Sequence, residues 1–258
     1  MKRALFVFSL LLPFILKGVD MKDFFSRLVE KEELYFYGLD HQPFHVGNYG
    51  KPEIARDVRI TVINGILNDV DCCLKTVEIL SATHGWTNVH YVYWNSEGWT
   101  ADLYKGFFSI FGYLSQPARE LAKLWQRLIE EMGGIDSDGV IYHYAHSIGA
   151  SESALAATLL TEEEKRKIHI ITFGPATIIP EEGFASVVNY ISKRDAVSIF
   201  DPWNFFLAHK GSLPHAVIVG EFDSLHPLVE HSLFSDTYYN LILEHGQKFI
   251  DKYSFVNK

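Results

Sequence analysis

The sequence predicts an α/β fold: a mainly parallel central sheet flanked by helices, with an N-terminal apolar helix ahead of it. Three observations lead there. Short β-branched and aromatic runs alternate with segments of helical spacing along most of the chain. The apolar runs are mostly continuous rather than alternating, as in strands covered by helices on both faces. The chain has 258 residues and is 48% hydrophobic, enough to bury one large core.

Taken in order, residues 1–20 open with Lys2 and Arg3 and continue as an uncharged run from Ala4 to Leu16. That run is shorter than the about 20 residues of a bilayer span and has the length of a signal-peptide core. It reads as a signal-like or membrane-anchor segment. The stretch ILKGVDMKD has no small-x-small cleavage pattern, which leaves an uncleaved anchor open. The expectation is an exported or membrane-associated protein, or a cytoplasmic one if the segment is a packed helix. Residues 21–57 form an N-terminal extension, with an amphipathic helix over 21–33 and an irregular, Gly/Pro/His/Asn-containing lead-in over 38–57.

The α/β domain occupies 58–258. VRITVI (58–63) is its first strand, and Val70, Cys73, Leu74, Val77 and Leu80 recur at helical spacing before Gly85. NVHYVYW (88–94) is the next strand. Residues 95–114 break the rhythm and read as a lid or insertion. Ser115 and Pro117 open a helix whose Leu121, Trp125, Leu128 and Ile129 share a face. GVIYHYA (139–145) is a strand, GASESALAATLL a helix, and TEEEKRK (161–167) a solvated helix end. KIHIITF (167–173), ASVVNYI (185–191) and HAVIVGE (215–221) are further strands, and 237–253 a last helix. Strand–helix–strand repetition implies parallel strands joined by right-handed crossovers.

Composition excludes several functions. A net charge of −9 with no Lys/Arg-rich stripe argues against nucleic-acid binding. The adjacent Cys72 and Cys73 cannot staple distant loops. His143 and His146, three apart on a strand, point to opposite faces, and no H-E-x-x-H or C-x-x-C occurs, so neither a metal nor a cofactor is expected. Trp94, Trp99, Phe107, Phe108, Ile110 and Phe111 serve either as core against the sheet or as the lining of an acyl pocket.

The chemistry-bearing stretch is AHSIG, 145–149, at the join of a predicted strand and a predicted helix. In an open α/β sheet, chemistry gathers beyond the C-terminal strand ends. Ser147 sits at such an end, with the small residues Ala145, Gly149 and Ala150 where a tight turn allows nothing larger. The first amides of the following helix point back at the hydroxyl, and Ile148 supplies the nearest N–H for an oxyanion. A serine nucleophile needs a base, and the base an orienting acid.

AHSIG resembles the G-x-S-x-G nucleophile elbow of the α/β hydrolases, with Ala145 in place of the first glycine. In that superfamily the order is Ser, then Asp or Glu, then His. SKRDAVS resembles the D-x-V segment of class 3 lipases, which favours Asp195 over Asp201, whose Asp-Pro context reads as a turn or helix start. EHSLFSDTYYN resembles lipase-like endings in which a His precedes an aromatic and then a Tyr opening the last helix, which favours His231 over His226. VINGILND has the geometry of the loop that supplies the second oxyanion amide, assigned to Ile66 with Leu67 next. VINGILND, AHSIGAS, ITFGPA and the other segments over 58–240 are also similar to a chlamydial protein family with a lipase-like core.

The resemblance implies a serine hydrolase cleaving an acyl ester, lipids included, through Ser147, Asp195 and His231. Thioester or amide cleavage would use the same residues. The alternative is a non-catalytic hydrolase-like scaffold that binds a lipid or partner protein at a membrane.

Overall fold

The computed structural model describes residues 44–51, 55–65, 70–94, 114–195, 197, 201–220 and 230–253, all within the unit Pro43–Lys258. The expected helices over 1–20 and 21–33, the insertion 95–114 apart from Leu114, and Ile66, Leu67 and His226 lie outside the described residues.

Seven strands form one sheet: β1 (Phe44–Tyr49), β2 (Val58–Ile63), β3 (Val89–Trp94), β4 (Val140–His146), β5 (Ile168–Phe173), β6 (Ser186–Ser192) and β7 (Ala216–Val219). Their order is β1-β3-β2-β4-β5-β6-β7. β1 runs antiparallel to β3, and all other neighbours are parallel. Every residue of β2 and β3 is buried, which explains why they read as continuous apolar runs.

Among the described residues six helices connect or flank these strands: α1 (Val70–Thr83), α2 (Gln116–Glu131), α3 (Gly149–Ala157), α4 (Glu162–Lys165), α5 (Pro202–His209) and α6 (Asp236–Tyr253). Ser115 caps α2 by accepting from the Ala118 amide at 3.2 Å, with Pro117 in the first turn. Thr161 caps α4 in a reciprocal box with Glu164, and nothing in α4 is buried. Gly85, with φ +78°, follows α1.

Alternate residues of the strands feed two cores. Leu121, Trp125 and Leu128 of α2 and Ala150 of α3 pack on Ile141 and Ile168. Val77 and Leu80 of α1 and Tyr238, Ile242 and Phe249 of α6 pack on Tyr144 and Phe173. Among the described residues, no helix is long and apolar enough to cross a membrane.

One feature departs from the expectations. Residues 44–49 lie in the stretch expected to be irregular, yet pair along all of β3 as an edge strand. Gly47 lets the backbone cross the Tyr91 ring, where a Cβ would come within 2.6 Å of Cζ. Partner pairing overrides the turn-forming Gly and Asn there. Asp201-Pro202, read as a turn or helix start, begins a helix, α5, between β6 and β7.

Candidate active site

The C-terminal ends of β2, β4, β5 and β6 meet at one edge of the sheet, and the site is built there. Ser147 occupies the bend between β4 and α3 with φ 58°, a conformation rare outside glycine. The bend is held on both sides. The Ser147 amide donates to Phe173 O at 3.1 Å, and Ser147 O accepts from the Ala150 and Ala176 amides at 3.2 and 3.0 Å. Gly149 has no alternative there, since a Cβ would meet Asn64 O at 2.8 Å and Ile63 O at 3.0 Å. Ala145 is fully enclosed between Ile63 and Thr172 in the sheet, so a methyl group is accommodated at that position.

The structure brings Ser147, Asp195 and His231 together. His231 Nε2 lies 2.9 Å from Ser147 Oγ, and its Nδ1 lies 2.8 Å from both Asp195 oxygens. Asp195 follows β6 and its side chain is shut off from solvent, while His231 keeps 14% of its side chain exposed. Burial by itself would raise the Asp195 pKa. The hydrogen bond and charge of His231, with hydrogen bonds from Tyr238 and the Val197 amide, outweigh it and hold the carboxyl below its ordinary value. The ionised carboxylate thus receives N–H and O–H donors from His231, Val197 (2.8 Å) and Tyr238 (2.8 Å).

Asp201, His209, His215 and His245 lie elsewhere. Asp201 Oδ2 accepts from the Ile178 amide and from Asn204 Nδ2. His245 bonds Tyr190, His209 lies against Phe205, and the His215 carbonyl accepts from Asn189.

Ile148 precedes α3 in helical conformation, and its own side chain offers that helix end no capping hydrogen bond. On the opposite side, Gly65 brings the loop after β2 against the nucleophile. A Cβ on Gly65 would stand 2.7 Å from Ser147 Cβ and 3.0 Å from His146 Nδ1. Asn64 fixes this loop by donating to Gly65 O at 2.7 Å and exchanging hydrogen bonds with the Trp94 backbone. Trp94 ends β3 and packs on Ile148 and Ala176.

Several supporting residues went unassigned in the sequence. Tyr238 OH donates to Asp195 Oδ2 and accepts from the Ser192 amide. Burial and the nearby Asp195 charge raise the Tyr238 pKa well above its usual value, so it stays a neutral donor. Glu230, beside His231 in the chain, accepts from Ser192 Oγ at 2.6 Å and Thr237 Oγ1 at 2.7 Å. Gly174 passes directly against the Asp195–His231 pair. The only sequence signals were ITFGPA around Gly174 and the tyrosines after His231.

The two strand histidines do diverge. His143 contacts Thr61 and Ser153 through its two nitrogens, both at 2.8 Å. His146 stacks on His231 with ring centroids 4.7 Å apart, and its Nε2–H donates to the His231 carbonyl at 2.7 Å. Burial, then the neighbouring His231, lower the His146 pKa to about 3, so it is neutral. Among the described residues, no group of three or more His, Cys, Asp or Glu could hold a metal ion.

No protein-family model matches the chain, and no curated protein matches it. Solved structures do. The dienelactone hydrolase from Anabaena variabilis superposes with a TM-score of 0.50 at 9% identity, covering 83% of this chain and 94% of that one. An esterase from Pyrobaculum calidifontis gives 0.49 at 13% identity, covering 94% and 98%. An esterase from Thermogutta terrifontis gives 0.47 at 15% identity, covering 83% and 91%. The chain has the α/β-hydrolase fold. The class 3 lipase and chlamydial likenesses rest on the motifs quoted above.

Proposed function

We propose that this chain is a serine hydrolase that cleaves a carboxylic ester through an acyl-enzyme on Ser147. The observation that carries this reading is the unbroken line from Asp195 through His231 to Ser147, with contacts of 2.8 and 2.9 Å. His231 Nε2 takes the Ser147 proton as Oγ attacks the ester carbonyl carbon. Asp195 keeps Nδ1 protonated and stabilises the imidazolium. The Ile148 amide, with Ile66 from the loop after Gly65, holds the oxyanion. The tetrahedral adduct collapses, the C–O bond breaks, and the leaving alkoxide takes the proton from His231 as alcohol. Water then attacks the acyl-serine with His231 as base, releasing the carboxylic acid and restoring the serine. General-base assistance of this type contributes about 10²–10⁴-fold, and each oxyanion donor about 10²–10³-fold.

The motif likeness to class 3 lipases supports an acyl ester, lipid esters included, as substrate. Lys2, Arg3 and the uncharged run to Leu16 support an exported or membrane-associated location. A fluorophosphonate probe tests the reaction. Covalent labelling of the wild type and none of Ser147→Ala is the expected result. A folded wild type that takes up no probe would instead favour a scaffold that only binds.

A further inference from the structure

A helix lying on a sheet ordinarily buries one apolar stripe and turns a polar face outward. α2 does so, with Leu121, Trp125 and Leu128 inside and Lys123 and Arg127 outside. α5 does not. Its inner residues Phe205 and Ala208 pack with Ile178, Ile191, Leu213 and Ile218. Its outer residues are also aromatic: Trp203 is 48% and Phe206 47% exposed. Their ring centroids lie 6.1 Å apart, and Lys210 Nζ stands 4.4 Å from the Phe206 centroid. Two exposed rings one turn apart, on a helix whose inner face is already buried, form an apolar stripe suited to a second apolar phase.

The charges around this stripe give the phase its sign. Asp201, the acidic residue at the start of α5, is engaged by the Ile178 amide and Asn204. Lys210 is the charge on the outer stripe. That cation stands on a chain of net charge −9.

We propose that the Trp203–Phe206–Lys210 stripe docks on the surface of an anionic lipid bilayer, with the rings at headgroup depth and Lys210 against lipid phosphate. A lipid fits better than a partner protein for two reasons. Trp, Phe and Lys along one stripe match the layered apolar-to-anionic character of a headgroup region. The sequence also repeats that chemistry at Lys2, Arg3 and the uncharged run from Ala4 to Leu16. Asp201 also ties the start of α5 to Ile178, two residues beyond Ala176, whose amide holds Ser147 O, so the helix is joined to the loop that supports the site. Docking does not require that the site be catalytic.

Flotation of the full chain with phosphatidylcholine vesicles, with and without phosphatidylglycerol, tests the proposal. The wild type should float with the anionic vesicles, and brominated acyl chains should quench its fluorescence. Trp203→Phe should remove most of that quenching. Phe206→Ser and Lys210→Glu should each lower the bound fraction, by about tenfold for the ring. Hydrolysis of a soluble short-chain ester should stay unchanged in all three. Ser147→Ala should float like the wild type, so a failure of covalent labelling and a failure of docking are separate results. Unaltered flotation of Lys210→Glu and Phe206→Ser, or unaltered quenching in Trp203→Phe, would overturn the proposal. Unaltered flotation with a shift from dimer to monomer would assign the stripe to a second copy instead. Lys210 lies at the surface, so its variant keeps the test open should Phe206→Ser fail to fold.

Discussion

Gly174 leaves no room for a side chain beside the Asp195–His231 pair. A Cβ there would stand 2.9 Å from His231 Nδ1 and 3.1 Å from Cε1, and nearer still to Asp195 Oδ2, with φ at +53°. Gly174→Ala must therefore bend the backbone out of its left-handed conformation or push the pair apart. The expected result is about a 10²-fold fall in esterase kcat/KM and a loss of about 1 kcal/mol or more in urea unfolding. Wild-type kinetics in Gly174→Ala would contradict the geometry.

Tyr238→Phe removes one of the donors that hold the Asp195 carboxylate ionised and leaves the Ser192 amide without its acceptor. Hydrogen bonds to the charged form lower a carboxyl pKa, so their removal raises it. The acid limb of the kcat/KM profile should move to higher pH, and stability should fall by about 1–3 kcal/mol. A pH–rate profile superimposable on that of the wild type would show that Tyr238 serves packing alone.

Asp195→Asn and Asp201→Asn separate the two aspartates. The first should lower kcat by about 10⁴-fold with a folded protein, because the imidazole loses its orienting anion. The second should leave ester turnover within a few-fold, at a stability cost of about 1–2 kcal/mol from weaker bonds to Ile178 and Asn204. Equal losses of turnover in both would argue against Asp195 as the orienting acid.

Three buried histidines, His84, His143 and His146, and the half-buried His245 make the fold sensitive to acid. Burial lowers His143 and His146 to about 3, and His84 and His245 to about 4, from an ordinary 6.5. The folded protein keeps them neutral, whereas the unfolded chain protonates them near pH 6.5. Below that pH the unfolded state binds more protons, so stability is complete above about 6.5 and declines as pH falls toward 4 and then 3. Each contributes about 1.4 kcal/mol per pH unit in that window. Thermal unfolding should show a Tm dropping steeply between pH 6.5 and 5, and a flat Tm would count against neutral burial.

What could be read from the sequence was whatever local pattern dictates. β2 and β3 announce themselves because every residue is buried, and α2 because Ser115, Pro117 and one apolar face coincide. Ser147 and Asp195 sit just past strands and His231 in a motif ahead of the last helix, and the structure gathers all three. β1 was hidden, because FHVGNY becomes a strand only when β3 supplies its hydrogen bonds and Tyr91 takes the space beside Gly47. Tyr238 and Gly174 were hidden for a related reason. Their importance lies in proximity to Asp195 across 43 and 21 positions of chain, which no local spacing encodes. α5 was seen only as its Asp-Pro start, since a helix apolar on both faces has no clear periodicity.

The order of the three residues along the chain has a consequence for biosynthesis. Ser147 leaves the ribosome first, Asp195 follows, and His231 and its clasping partner Tyr238 come with the final helix. A nascent polypeptide holding the serine alone has an inert alcohol, since its proton acceptor has not been translated. In the proposed reaction the serine gains its base only once the segment through Tyr238 has been made, so a fluorophosphonate would report the folding of that segment as well as the chemistry.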